Sequence, residues 1–132
     1  MSRIGKAVGA VAASVGVAGA IALAAPGVAS AAAYGGQCGS SYGVVDAEPI
    51  SGGTVYLTRY GNTVCAVTIR TYPGARQSMS VWLRRSGTTT WTNDPGDYTT
   101  YAGPVYVYAP GCADFGGRIL TSQTTIYSAD CF

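Results

Sequence analysis

Few side chains in this 132-residue sequence could carry out chemistry, and those that could are carboxylates, cysteines and aromatic rings. The chain has no histidine, so neither a Ser-His-Asp nor a Cys-His nucleophile can be assembled. Its one lysine, Lys6, lies near the N-terminus, which leaves the rest of the chain without Ser-Lys or Schiff-base chemistry. No phosphate-binding glycine loop or histidine-based metal site is present. We therefore expect no catalytic residue and no cofactor, and we predict that the protein is not an enzyme.

The acidic side chains offer a remaining route to catalysis or metal binding. Asp94 and Asp97 flank a Pro-Gly turn, and Asp114 follows shortly after Cys112. Two carboxylates can serve a glycosidase, and carboxylates can also bind calcium, which needs about six or more oxygen ligands. This stretch supplies only part of such a shell. Aspartates in turns usually bond their own backbone, so we interpret all three as turn or cap residues and expect no metal.

The four cysteines predict disulfides rather than a metal site. Cys38, Cys65, Cys112 and Cys131 are far apart, whereas a four-cysteine metal site needs close-spaced pairs. Three pairings are possible in principle. We favour Cys38–Cys65, which would tie the opening segment to a central strand, together with Cys112–Cys131, which would hold the C-terminus.

The N-terminus has the features of a signal peptide. Arg3 and Lys6 form a short basic start, residues 7–25 carry no charge, and Ala29-Ser30-Ala31 provides a small-x-small cleavage pattern. A membrane anchor is the alternative, but the run is rich in alanine and glycine and no basic group follows it. We therefore predict cleavage after residue 31, with 33 as a second possibility.

Residues 32–132 are predicted to form a single secreted domain. The basic residues left in this part are six arginines, and they are balanced by the six acidic residues of the chain. A neutral domain has no electrostatic attraction for nucleic acid or for an anionic membrane. We expect neither as a partner of the mature form, and we expect an extracellular or surface-associated location.

Alternating apolar and polar residues predict an all-β fold. The best local prediction is a hairpin, in which runs 54–60 and 63–71 are joined by Gly61-Asn62. Further strand candidates, seven to nine in all, follow with turn signals roughly every ten residues. They include residues 42–46, 79–85, 88–92, 105–108, 112–120 and 124–127. The fold class is therefore a small antiparallel β-sandwich or barrel with two disulfides.

Aromatic side chains at outward positions of these strands provide a candidate binding face. If the strands lie side by side, their rings form a stripe that could stack on sugar rings or anchor a protein. The plainer explanation is that tyrosine favours strands and covers the second face of a sheet. Both remain open at this point. The stripe would consist of Tyr56, Tyr60, Trp82, Tyr106 and Tyr108.

Arg76 supports a further hypothesis. It lies in the loop that follows Tyr72-Pro73-Gly74, where a rigid scaffold could present it to a trypsin-like protease. A surface arginine in a loop is the more ordinary explanation, so a small extracellular protease inhibitor is kept as an alternative function.

Several motifs in a fixed order resemble the spore-associated protein A family of small secreted streptomycete proteins. The resemblance covers nearly the whole chain after the signal peptide and is strongest at its two ends. The motifs are Cys-Gly-Ser-x-Tyr-x-Val-Val at 38–45, Gly-Thr-Val-Tyr-Leu at 53–57, Cys-x-Val-Thr at 65–68, Tyr-Ala-Gly-Pro-Val-Tyr-Val at 101–107 and Gly-Cys-x-x-Phe-Gly-Gly at 111–117.

The resemblance implies export and association with the spore or cell surface, and it implies no catalytic residue. Together with the missing catalytic side chains, it predicts a secreted, non-enzymatic protein with a structural or binding role. The expected partner is a polymer or a protein of the cell wall or spore surface. A protease inhibitor and a carbohydrate-binding module are the alternatives.

Overall fold

The computed structural model describes residues 32–131, so the predicted signal peptide lies outside the described residues. The described residues belong to one compact unit. Within them, no helix is long and apolar enough to cross a membrane. Nine β-strands are described: β1 Gly43–Ile50, β2 Gly53–Tyr60, β3 Thr63–Arg70, β4 Gln77–Arg85, β5 Thr92–Asn93, β6 Gly96–Tyr98, β7 Tyr101–Tyr108, β8 Ala113–Ile119 and β9 Ser122–Ala129.

The strands form two antiparallel sheets. The first sheet has the order β1-β2-β3-β7. The second has the order β5-β4-β8-β9, and β6 also pairs with β4. Two disulfides accompany the sheets, Cys38–Cys65 and Cys112–Cys131. The prediction of an all-β antiparallel fold with two disulfides is thus confirmed, and the cysteines pair in the favoured way.

The predicted hairpin is formed by β2 and β3. Tyr60 pairs with Thr63, so Gly61 and Asn62 make the turn. Gly61 has a φ of 60°, a conformation that glycine adopts without the steric cost borne by other residues. Local sequence signals are sufficient here because the two strands are neighbours in both sequence and space.

The core lies between the two sheets and is built from the apolar positions of the alternating strands. Met79, Val81 and Leu83 of β4 are buried there, as their alternation predicts, and Val105 of β7 is also buried. Val107 is partly buried and packs against the same cluster. This inner layer leaves the alternate residues of β4 and of its neighbours on the outer face of the second sheet.

Several strands differ from their predicted extents; β7 begins at Tyr101 and not at residue 105, and β9 covers Ser122–Ala129 and not only 124–127. The first strand, predicted for residues 42–46, continues to Ile50 and passes through Pro49. A proline is tolerated there because β1 lies at the edge of its sheet, where an amide donor is not required. The strand predicted for 88–92 is reduced to β5. Thr88, the first residue of the predicted strand, donates hydrogen bonds to the Arg85 carbonyl from both its backbone amide and its side-chain hydroxyl. These bonds turn the chain.

Candidate functional site

An open groove crosses the outer face of the second sheet and contains both tryptophans of the chain. Its volume is about 340 Å³. Aromatic rings combined with a few polar groups are typical of ligand-binding sites. Of the lining residues, only Trp82 was a candidate from the sequence. The groove is lined by Trp82, Trp91, Asn93, Thr125 and Tyr127.

Strand register places four residues of this region in one row across the sheet. Trp82 of β4 pairs with Asn93 of β5 on one side and with Gly116 of β8 on the other. Gly116 in turn pairs with Thr125 of β9. Paired residues in an antiparallel sheet share a face, so the row projects outward from four adjacent strands.

The indole of Trp82 is fixed over the missing side chain of Gly116. Its Nε1 donates a hydrogen bond to Thr125 Oγ1 at 3.0 Å, which spans β8. A Cβ atom on Gly116 would lie 2.3 Å from that same Nε1. The close approach therefore requires glycine, and it holds the floor of the groove in one orientation.

Arg84 contacts the two other aromatic rings of the groove. Its Cζ lies 4.2 Å from the centroid of the Trp91 ring and 5.9 Å from that of Tyr127. A guanidinium over an aromatic face is attracted by the ring quadrupole. Tyr127 is 62% exposed, so without this contact its ring would have little to define its position.

Asp114 holds Arg84 in place from the sheet. It accepts a hydrogen bond from Arg84 Nε at 2.7 Å, and its other oxygen accepts from Ser86 Oγ and from the Ser128 N–H. Burial acts to raise the pKa of Asp114. The hydrogen bonds from Ser86 and Ser128, with the guanidinium of Arg84, outweigh burial, so the pKa is lowered. The carboxylate thus stays charged and balances the arginine beneath the rings.

The five predicted stripe residues do not lie on one surface. Trp82 belongs to the second sheet, because β4 pairs with β8, β5 and β6. The other four lie on β2 and β7 of the first sheet. β3 lies between β2 and β7, so no two of the three strands that carry these residues lie side by side, and the condition on which the stripe depends is not met. Binding by any of these residues remains a prediction.

The tyrosines of the first sheet are partly covered by the segment before β1. Tyr56 is only 7% exposed, and its hydroxyl donates to the Ala32 carbonyl. Tyr106 donates to the Cys38 carbonyl at 2.9 Å, and its ring packs edge-on against Tyr42. Burial, followed by the nearby phenols of Tyr42 and Tyr34, raises the pKa of Tyr106. The chain itself therefore covers Tyr56 and contacts Tyr106, which is still 45% exposed.

Three of the predicted tyrosines remain open to solvent, and Tyr106, at 45%, is the least exposed of them. Tyr60 is 60% exposed and Tyr108 is 64% exposed. Tyr60 contacts Tyr42 with a centroid separation of 5.7 Å. The rings of Tyr60 and Tyr108 provide a matched comparison for the groove, since they lie on the opposite sheet.

Of the three carboxylates considered from sequence, those of Asp94 and Asp114 are engaged in structural contacts, and Asp97 is exposed. Asp94 accepts from the Tyr98 hydroxyl at 2.6 Å and from the Gly103 N–H at 2.8 Å. The hydrogen bond to Asp94 is the main reason that the pKa of Tyr98 is raised, with burial adding to it. Within residues 32–131, no three His, Cys, Asp or Glu side chains are grouped so that they could hold a metal ion.

Arg76 is tied to the strand beside it. Its Nη1 donates to the Asp97 carbonyl at 3.0 Å. An inhibitory arginine would have to leave this contact before it could enter a protease pocket. The loop therefore gives the inhibitor hypothesis no direct support.

One acidic pair lies apart from the groove. Asp46 and Glu48 are two residues apart on β1, so they project from the same face of an edge strand. Partial burial, followed by a hydrogen bond and charge repulsion from Asp46, raises the pKa of Glu48. Sequence inspection did not single out this pair.

Fold and groove together define a small, disulfide-linked β-sandwich with an open aromatic groove on one outer face. No protein-family model and no solved structure matches the chain. It is 43% identical to spore-associated protein A of Streptomyces coelicolor over 136 residues, which cover 96% of this chain and 88% of that relative. The chain therefore belongs to the spore-associated protein A family, which confirms the resemblance seen in its motifs.

Proposed function

We propose that this protein is exported and associates with the spore or cell surface through non-catalytic binding. The name of the relative motivates the location. The observation that carries the binding role is the groove formed by Trp82, Trp91 and Tyr127. Exposed aromatic rings supported by a polar network are typical of recognition surfaces, since they offer large contact areas with little loss of side-chain freedom on binding.

A binding role is favoured over catalysis because the charged groups near the groove are already committed. Asp114 is buried and ion-paired with Arg84. A general acid or base needs a pKa near the working pH, whereas the pKa of Asp114 is lowered. Asp114 and Arg84 accordingly act as supports for the rings.

The groove is favoured over the tyrosines of the first sheet as the contact surface. Tyr56 is buried under the segment before β1, and Tyr106, although 45% exposed, is hydrogen-bonded to it, so a partner could engage both rings in full only by displacing that segment. Tyr60 and Tyr108 are open, and the control variant tests them directly. The Cys38–Cys65 disulfide tethers the segment to β3. The groove needs no such displacement.

Retention on intact spores and on purified cell wall tests this function. The mature protein, the double variant Trp91→Ala/Tyr127→Ala and the control Tyr60→Ala/Tyr108→Ala would be compared in a sedimentation assay. Each variant would first be checked for the wild-type circular dichroism spectrum. We expect the wild type and the control to sediment with the surface material, and we expect the groove variant to remain in solution.

Two results would contradict the proposal. If neither spores nor cell wall retain the wild-type protein, surface association is wrong. If the groove variant is retained as well as the wild type, association occurs elsewhere on the molecule. If only the Tyr60→Ala/Tyr108→Ala variant loses retention, surface binding is assigned to the tyrosines of the first sheet.

A further inference from the structure

We infer that the ligand of this groove is an uncharged carbohydrate chain built from pyranose rings. The inference rests on the proposed function, because it names the ligand class of the same site. It draws on three properties of the groove, namely its ring surfaces, its hydrogen-bonding groups and its charge balance.

The ring surfaces match the shape of a pyranose. A pyranose ring has a flat face of C–H bonds, which loses little by leaving water and stacks on an aromatic face. Trp82 lies over Gly116 at the floor of the groove, and Trp91 and Tyr127 also line it. Three rings around one open groove can contact successive sugars, and an open groove lets a polymer pass without its end being recognised.

The polar groups of the groove are uncharged and suit sugar hydroxyls. Thr125 Oγ1 already accepts a hydrogen bond from Trp82, which leaves its own hydroxyl hydrogen available for donation. The Asn93 side chain offers both a donor and an acceptor, and the residue is exposed at the groove. Sugar hydroxyls both donate and accept, so they pair with groups of this type.

The charge balance argues against an anionic polymer. The cation that contacts the rings of the groove, Arg84, is paired with Asp114 at 2.7 Å, so this residue contributes no uncompensated positive charge. Proteins that hold polyanions depend on clustered basic groups. A neutral polysaccharide does not require basic groups. Aromatic rings and side chains that hydrogen-bond to sugar hydroxyls are sufficient to bind it.

The groove is also held in its binding shape before a ligand arrives. Trp82 is fixed by Thr125, and Arg84 contacts Trp91 and Tyr127 while Asp114 holds it. A site with ordered side chains loses less conformational entropy on binding. The volume of about 340 Å³ is at the lower end for small-ligand pockets, which suits a short stretch of a longer chain.

Titration of the mature protein with defined oligosaccharides tests the inference. The probes are N-acetylglucosamine tetramer and cellotetraose as uncharged chains, and a tetramer of galacturonic acid as an anionic chain of similar length. Tryptophan fluorescence and calorimetry would report binding. The two neutral probes also separate an N-acetylated wall-type ligand from a cellulose-type ligand.

We expect saturable binding of at least one neutral tetramer, with a change in tryptophan fluorescence. Trp91→Ala and Tyr127→Ala should each weaken binding about tenfold, since loss of a single aromatic anchor commonly has an effect of this size. Asn93→Ala should weaken it several-fold, and Tyr60→Ala/Tyr108→Ala should leave it unchanged. Tyr127→Ala removes a mostly exposed ring, so it remains informative if Trp91→Ala does not fold.

The titration separates failure of the sugar inference from failure of surface association. If spores retain the protein through the groove but neither neutral tetramer binds, the sugar inference is overturned and the proposed function stands. Preferential binding of the galacturonic acid tetramer would overturn the assignment of an uncharged ligand. Binding that persists in both groove variants would place the sugar site elsewhere.

Discussion

Trp82 donates a hydrogen bond to Thr125 across an intervening strand, with 3.0 Å between Nε1 and Oγ1. The two residues are on β4 and β9, and Gly116 of β8 lies between them. An indole can span a strand in this way only where the strand offers no side chain. The shape of the groove thus depends on a glycine that does not line it.

Replacing Gly116 by alanine should therefore disturb both stability and the tryptophan environment. The new Cβ would lie 2.3 Å from Trp82 Nε1 and 2.2 Å from the Thr124 carbonyl oxygen. Overpacking of this kind typically lowers the free energy of unfolding by about 1–3 kcal/mol. Urea unfolding and the tryptophan emission maximum measure the two effects.

Gly43→Ala is the matched control for this substitution. Gly43 is an exposed strand residue with no heavy atom within 4 Å of the position of a Cβ. It should unfold at nearly the wild-type urea concentration. Equal stability of the two variants, with unchanged tryptophan emission, would show that the groove tolerates a side chain at Gly116.

Asp114 should make stability depend on pH on the acidic side. Its pKa is lowered in the folded state, so above the unfolded-state pKa of about 4 the charged carboxylate stabilises the fold. This stabilisation is lost as the pH falls from about 4 through the lower, folded-state pKa. Asp114→Asn should therefore reduce stability at pH 7 by about 1.5–3 kcal/mol, the usual range for hydrogen bonds to a charged group.

The difference in unfolding free energy between wild type and Asp114→Asn should narrow as the pH falls below about 4, because the carboxyl is then protonated in the unfolded wild type and, at lower pH, in the folded protein as well. Unfolding at a series of pH values between 7 and 2 measures this convergence. Asp97→Asn serves as the control, since Asp97 is exposed. A pH-independent difference for Asp114→Asn would mean that the loss comes from packing and not from charge.

Arg59 should be among the most sensitive positions outside the apolar core. Its guanidinium is buried and donates to the carbonyls of Ala109, Gly111 and Asp130, and its Nε pairs with the Asp130 carboxylate. Replacing it by methionine removes the donors and leaves the acceptors without them. Loss of one partner of a buried ion pair typically costs about 3–5 kcal/mol.

Arg85→Met provides the comparison for Arg59→Met, because Arg85 is exposed at the end of β4. If the dependence of unfolding free energy on urea concentration is unchanged, the shift of each unfolding midpoint gives the loss of stability in that variant. We expect a change within about 0.5 kcal/mol for Arg85→Met, as for most surface substitutions. A similarly small change for Arg59→Met would show that water replaces its hydrogen bonds.

Local sequence patterns were sufficient for the features that depend on neighbours in the chain. The alternation of β4 correctly predicted that Met79, Val81 and Leu83 are buried, although Ser80 on its other face is buried as well, and Gly61-Asn62 located the hairpin turn. Sheet membership depends instead on contacts between distant segments, which no local pattern contains. The sequence pattern therefore places Trp82 with the tyrosines, although β4 pairs with β8 in another sheet.

The covering of the tyrosines could have been anticipated from the cysteines. Cys65 pairs with Tyr106 in the register of β3 and β7, so both share the outer face of the first sheet. A disulfide from Cys38 to Cys65 necessarily brings the opening segment onto that face. By contrast, the contact between Arg84 and Trp91 depends on how the chain turns after Arg85, and alternation gives no information on that turn.

The mature protein is expected to begin at Ala32. Ala32 is buried, its backbone nitrogen donates to Thr54 Oγ1 at 3.1 Å, and its carbonyl accepts from the Tyr56 hydroxyl. Cleavage after residue 31 preserves both contacts, whereas cleavage after residue 33 removes them and uncovers Tyr56.

Mass spectrometry of the exported protein identifies the cleavage site. Refolded chains that begin at residues 32 and 34 should differ in unfolding free energy by about 1–3 kcal/mol, the cost of two buried hydrogen bonds. Export of a chain that begins at residue 34 with undiminished stability would refute this prediction.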